Sequence, residues 1–277
     1  MFDTFFYEPV YNLVIFLANF IHDLGWVIVV ATIIIKFILF PLYNRQINTQ
    51  IATKKAKPEL DAIKEKYGKN ASKEERQKMA FETLAIYKKY NIRPFASILL
   101  LLIQIPILFA LYWIFYKGGL PGVDKSILYS FVSEPDQKLS LNFLNHFDLA
   151  NSSVVLAVVA AITQYIQLAV SMPDVRFADL KKKTGRIGED MAVSMQVNLK
   201  YGLPLFILFL LSTTLSAAIA IYWITSNVFM TVQEYFVRHK KAELRKKDNK
   251  VEKKEYQKQE GQVKKKKKKK KNKKRNR

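Results

Sequence analysis

The chain has 277 residues, half of them apolar, yet its net charge is +22. Apolar and basic residues are segregated into blocks, the pattern of a polytopic membrane protein rather than a soluble globule. Zero cysteines exclude disulfides, thiolate catalysis, cysteine metal sites and lipidation through cysteine, and His22, His146 and His239 stand at no metal-ligand spacing.

Residues 1–23 hold Asp3, Glu8 and Asp23 and no basic residue, so they lack the positive n-region of a cleavable signal peptide and read as an external leader. The first span is expected at about 24–43. Its apolar run GWVIVVATIIIKFILFPL contains one charge, Lys36. A charge near the bilayer centre costs roughly 3 kcal/mol and marks function. No Asp or Glu lies within 25–43, 95–116, 151–170 or 201–233, so no span supplies a carboxylate. The ammonium therefore needs water, backbone oxygens, or a partner brought by a substrate. The competing reading is snorkelling, although Arg45 lies about 13 Å further along a helix and a lysine stem covers about half of that.

Residues 44–93 carry apolar positions at helical spacing, including Ile47, Ile51, Leu60, Ile63, Tyr67, Met79, Leu84 and Tyr87. Gly68 to Ala71 reads as a turn, and Ser72 with Glu75 fits a capping box that opens a second helix ending before Pro94. Two antiparallel helices would form a charged cytosolic hairpin, either a solvated connector or a docking element. Further spans are expected at about 95–116 and 151–172. The stretch 202–236, about 52 Å as one helix, is too long for one crossing of a roughly 30 Å core. Ser212, Thr213, Thr214 and Ser216 divide it into spans at about 202–214 and 216–236.

Charge supports five spans. Segment 44–94 holds 13 Lys/Arg, 117–150 holds three against four acids, 171–200 holds six and 237–277 holds 22. With the N-terminus outside, the hairpin, a second loop at 173–200 and the tail are cytosolic, as the positive-inside rule requires. The tail 237–277 has almost nothing apolar to bury and is expected to be disordered. Its candidate anion-binding residues are Lys264, Lys265, Lys266, Lys267, Lys268, Lys269, Lys270, Lys271, Lys273, Lys274, Arg275 and Arg277. Ribosomal RNA and anionic membrane lipids both fit such a run.

Polar residues are distributed over most spans: Thr32 one turn before Lys36, Gln104, Gln164, Gln167, and in the last span Tyr222, Trp223, Thr225, Ser226, Asn227, Gln233 and Glu234. Singly, each is explained by an interhelical hydrogen bond or an interfacial position. Together with a lone cation they fit a hydrated cavity shared between helices. No HExxH, GxSxG, Walker or GxGxxG pattern is present and no acid pair lies in a span, so no enzyme and no cofactor is expected.

The segments PLYNRQINTQIATKKAKPELDAIKEKYG, LAIYKKYNIRPFASILLLLIQIPILFALYW and LSAAIAIYWITSNVFMTVQEYF, in that order, strongly resemble the YidC/Oxa/Alb membrane protein insertases. The resemblance covers most of residues 1–236. It implies an all-α fold of five transmembrane helices around a hydrophilic groove open to the cytosol and closed outside. The implied activity is insertion and folding of nascent membrane proteins. Implied partners are the ribosome, the Sec translocon and the signal recognition particle pathway. It implies groove roles for Lys36, where the family usually has arginine, and for Thr32, Gln104 and Gln167. Trp223 stands where a substrate-contacting tyrosine is common, beside Tyr222, and Ser226 and Asn227 also fit. Lysine keeps the charge but not arginine's bidentate fork. The Gram-negative extracytoplasmic domain has no counterpart and no mitochondrial targeting segment is seen, so a compact bacterial plasma-membrane member is expected. The rival classes are a small transporter or channel, and a ribosome-anchoring protein with an inert membrane part.

Overall fold

A computed structural model describes residues 2–68, 72–93, 96–116, 123–172, 177 and 193–243; of residues 96–102, 115 and 116 it describes the backbone alone. These fall into two units, Met1–Glu234 and Tyr235–Arg277. In the second, residues 235–243 are helical, with Tyr235 stacked on His239 and His239 3.6 Å from Glu243. The expected tail cations from Lys264 to Arg277 lie outside the described residues, as does most of the 173–200 loop.

The first unit is mostly helical. A wide π turn, Asp3–Tyr7, leads into α1, Glu8–Ala18. This apolar segment was expected only as a leader. It is instead part of the core: Tyr11, Val14 and Ile15 are fully buried, and it packs against the next helix and against the helix Ala96–Tyr116. Asn12 fixes it to the 123–150 segment by donating to the Ile127 carbonyl and accepting from Tyr129 N–H, at 2.9 and 2.7 Å.

Helix α2, Leu24–Ile38, starts where the Asp23 carboxylate accepts the Gly25 N–H at 2.8 Å. The same end is pinned by backbone bonds from Leu24 to Ser140 and from Ser140 to His22. Phe143 lies over Gly25, leaving no room for a Cβ there. Phe143 belongs to a small antiparallel pair, β1 (Asn142–Phe143) and β2 (Phe147–Asp148), which hydropathy does not announce. At Leu39 the chain bends by 63° into α3, Phe40–Tyr67. Pro41 in the first turn disfavours straight continuation of the preceding helix.

Helix α4, Lys73–Lys89, returns along α3. Ser72 and Glu75 cap it reciprocally, and Gly68 ends α3 at φ +68°. The pair is joined at each end by a glutamate held between lysine and tyrosine. Lys66 and Tyr67 donate to Glu82 at 2.6 and 2.8 Å, and Lys89 and Tyr90 to Glu59 at 2.7 and 2.6 Å. Ala56, Ile86 and Ile92 form a small buried apolar cluster within the hairpin.

Helices α5 (Ala96–Tyr116), α6 (Val154–Ser171), α7 (Val193–Thr213) and α8 (217–234) complete the unit. By length and composition α6 and α7 can each cross a membrane, and the bent α2–α3 pair could supply a third span. Helix α7 begins at Val193, earlier than the span expected at 202, and passes through a π turn at Asn198–Gly202 before Pro204. Proline has no N–H to continue the ladder, which accounts for the widened turn. Helix α8 opens with Ala217, Ala218 and Ala220, all fully buried, small enough for close helix approach. Two of its leading amides are capped from the neighbouring loop: Ala217 N–H by the Asn151 carbonyl at 2.7 Å and Ala218 N–H by the Leu149 carbonyl at 3.4 Å.

Candidate functional site

The apolar end described above gives way along α8 to polar side chains. Tyr222, Ser226, Asn227, Gln233 and Glu234 are buried, at 2–5% exposure, with Trp223 and Met230 between them partly covered. These face α2, α3, α5 and α6, which each contribute polar groups at the same level.

Lys36, 1% exposed, is the hub. Its ammonium donates to Tyr43 Oη at 2.9 Å and to Gln104 Oε1 at 3.0 Å, and reaches Met230 Sδ at 3.7 Å. It also lies 4.8 Å from the Tyr43 ring centroid. Tyr43 Oη donates in turn to Gln104 Oε1 at 3.1 Å, and Gln104 Nε2 donates to Tyr222 Oη. Among the described residues the buried cation is thus held by neutral oxygen dipoles and a thioether and by no carboxylate, and it does not snorkel to a surface. Buried dipoles satisfied in a network stabilise one another, whereas removing one partner leaves the others exposed to the full desolvation cost.

A second chain of hydrogen bonds joins α8 to α6. Trp223 Nε1 donates to Gln164 Oε1 at 2.7 Å, Gln164 Nε2 to Gln167 Oε1 at 3.4 Å, and Gln167 Nε2 to Ser171 Oγ at 2.9 Å. Ser171 donates to Glu234, and Asn227 Nδ2 to Thr163 Oγ1 at 3.3 Å. Glu234 thus lies at the end of this chain, as Lys36 lies at the centre of the other.

Between them is a cavity of about 230 Å³, lined by Tyr43, Gln46, Gln50, Gln167, Ser171, Met230 and Glu234 among others. At about 30 Å³ of liquid volume per water it accommodates several waters or a polar side chain. Gln233 also lines it; its Nε2 donates to the Phe40 carbonyl at 3.3 Å, while its buried Oε1 has no partner among the described residues.

The structure therefore brings Lys36, Gln104 and Tyr222 into one cluster, and Gln164, Gln167 and Trp223 into another. Thr32 is buried, but its hydroxyl donates to the Ile28 carbonyl of its own helix at 2.6 Å, away from the ammonium. Ser226 and Asn227 are buried beside these clusters on α8. Sequence reasoning missed Tyr43, Met230 and Ser171. Tyr43 meets Lys36 only because the chain bends at Leu39 between their two helices, and no helical spacing announces that contact. A second buried lysine, Lys200, lies at the π turn of α7 with its ammonium 5.6 Å from the Tyr201 ring.

Comparison with known proteins gives this arrangement a context. Residues 16–247 match the model of the 60Kd inner membrane protein family. The chain belongs to that family. A membrane protein insertase YidC from Clostridium tetani is 32% identical over 230 residues, covering 83% of this chain and 87% of that protein. Membrane protein insertase YidC 2 from Bacillus anthracis is 30% identical over 85% of this chain and 80% of its own length. A Fusobacterium nucleatum YidC is 28% identical over 86% of this chain and all of its own length. Family membership and the apolar helices place this YidC-family chain in a membrane.

Proposed function

We propose that this protein is a membrane protein insertase that acts by solvation and not by bond chemistry. The observation that carries the reading is Lys36: a buried ammonium in a network of neutral dipoles, with two of its contacts, Tyr43 and Met230, in the wall of a cavity whose mixed lining includes Gln46, Gln167 and Glu234 as well as Ile47 and Leu168. In this reading five spans, at about 24–43, 95–116, 151–172, 202–214 and 216–236, surround a hydrophilic groove. The N-terminus is outside and the C-terminus in the cytosol of a bacterial cell. The hydrogen-bonded apolar end built from α1, the 123–150 segment and the start of α8 seals the outer side. The cavity is the cytosolic entrance.

A hydrophobic segment of a nascent membrane protein slides along the exposed apolar stripe of α6, where Val155, Val158, Ile162 and Ile166 recur at helical spacing and are 41–60% exposed. Its short polar flank enters the cavity, where Gln167, Gln233 and Tyr43 replace part of its hydration. Acidic flanks are favoured because Lys36 offers the missing counter-charge. The hairpin 44–93 receives the substrate, and the tail from Lys264 to Arg277 holds ribosomal RNA or anionic lipid. The protein acts alone or beside the Sec translocon, receiving chains also through the signal recognition particle pathway.

The test is site-specific photocrosslinking from position 223 to a ribosome-stalled nascent membrane protein. The reading predicts crosslinks that depend on the transmembrane segment of the nascent chain. Crosslinks only to lipid, with solute flux through the reconstituted protein, would contradict it.

A further inference from the structure

An ammonium has three N–H donors, and those of Lys36 meet three acceptors: Tyr43 Oη, Gln104 Oε1 and Met230 Sδ. Its hydrogen-bonding capacity is full. A substrate carboxylate can reach it only by displacing one of the three. The oxygens are good acceptors and are themselves joined, Tyr43 donating to Gln104 and Gln104 to Tyr222. The third contact is different. A thioether sulfur is a weak acceptor, the distance is 3.7 Å, and methionine has three rotatable bonds and no branch. Met230 also lines the cavity, whereas Lys36 does not. Tyr43 lines it too but holds the ammonium through a good acceptor oxygen, so Met230 is the weaker of the two wall residues that stand against the charge.

We propose that Met230 is a gate that controls access of an acidic substrate side chain to Lys36. When its side chain swings away, one N–H of the ammonium opens to the cavity. An aspartate or glutamate carboxylate then takes the place of the sulfur. The exchange is favourable for that chemistry alone. A charge-assisted N⁺–H···O⁻ bond is roughly twice as strong as a neutral one, and the carboxylate brings a counter-charge that the neutral partners do not supply. A neutral amide or hydroxyl offers only a modest improvement on the sulfur, and a basic side chain none, so the gate stays shut to them. Glu234 lines the same cavity one turn beyond Met230 and is engaged by Ser171.

The proposal rests on the reading of Lys36 as the charge that meets substrate, and the test separates the two. Because the chain has no cysteine, Met230→Cys places a single thiol at the gate of the full-length protein in proteoliposomes. Its reaction rates with an anionic sulfonatoethyl and a cationic trimethylammonioethyl methanethiosulfonate are compared with those of Phe81→Cys, on the exposed face of α4. The anionic-to-cationic ratio is expected to be at least about tenfold higher at position 230, and adding Lys36→Met should abolish the excess. In parallel, insertion of an acidic-flanked single-span substrate is measured relative to a neutral-flanked one. Met230→Ala, which leaves the way open, should raise that ratio about threefold. Met230→Ile keeps the wall but has a stiff, branched side chain, and should bring the ratio close to one.

An equal reagent ratio at both positions overturns the gate, as does an insertion ratio that neither Met230 variant changes. If Lys36→Met removes the acidic preference while neither Met230 variant changes it, the gate alone is wrong. If Lys36→Met leaves the preference intact, the underlying reading of Lys36 fails as well.

Discussion

Lys36 and Tyr43 are separated by the bend at Leu39, yet their side chains meet at 2.9 Å. Tyr43→Phe keeps the ring and removes the oxygen that both accepts from Lys36 and donates to Gln104. It should destabilise the protein by about 1–3 kcal/mol, the range for orphaning a buried donor, read as a lower Tm in detergent. A change that leaves Tm untouched would mean that water replaces the phenol. Gly25 and Gly202 form a second residue-scale contrast. A Cβ on Gly25 meets the Phe143 ring, while one on Gly202 meets nothing within 4 Å. Gly25→Ala should cost about 1–3 kcal/mol through overpacking, and Gly202→Ala should be neutral or stabilising, in the same melting assay. Lys36 and Gln104 were legible in the sequence because a charge or an amide inside an apolar run has few ordinary explanations. Tyr43 and Met230 were not. Tyrosine and methionine are common in such surroundings, and Met230 lies 194 residues from the lysine it touches.

Among elements, the α3–α4 hairpin has the most explicit electrostatics. The hydrogen bonds from Lys89 and Tyr90 hold the Glu59 carboxyl below its ordinary 4.5, and Lys66 and Tyr67 do the same for Glu82. A depressed carboxyl stabilises the folded form above its unfolded pKa, and that contribution disappears as pH falls through the folded value. Spin labels on α3 and α4 should therefore report a constant separation from neutral pH to about 4.5 and broadening below it. High salt should shift the onset upward, because these pairs are exposed and screened. The capping box of α4 was legible because Ser72 and Glu75 form a local pattern. Helix α1 and the β1–β2 pair were not. Acidic residues at 3, 8 and 23 invite a topological reading that hides the apolar face of α1. Two-residue strands carry no periodicity to detect.

Across the whole molecule, polarity is graded along α8. Its small, buried first turn is tied to the loop before α6, and its later turns carry the polar groups around the cavity. That polar residues of separate helices meet one another was legible, because the sequence sets them singly inside separate apolar runs. Their division into a lysine cluster and a glutamine–serine–glutamate chain depends on which helices adjoin, which no single run encodes. The account's central claim is that the buried charge acts on substrate and is not merely tolerated. The most direct test is insertion, in proteoliposomes, of two single-span substrates that differ only in acidic or neutral flanks, comparing the wild-type protein with Lys36→Ala. The account predicts that the variant loses insertion of the acidic-flanked substrate about tenfold more than that of the neutral one. Equal loss of both would contradict it.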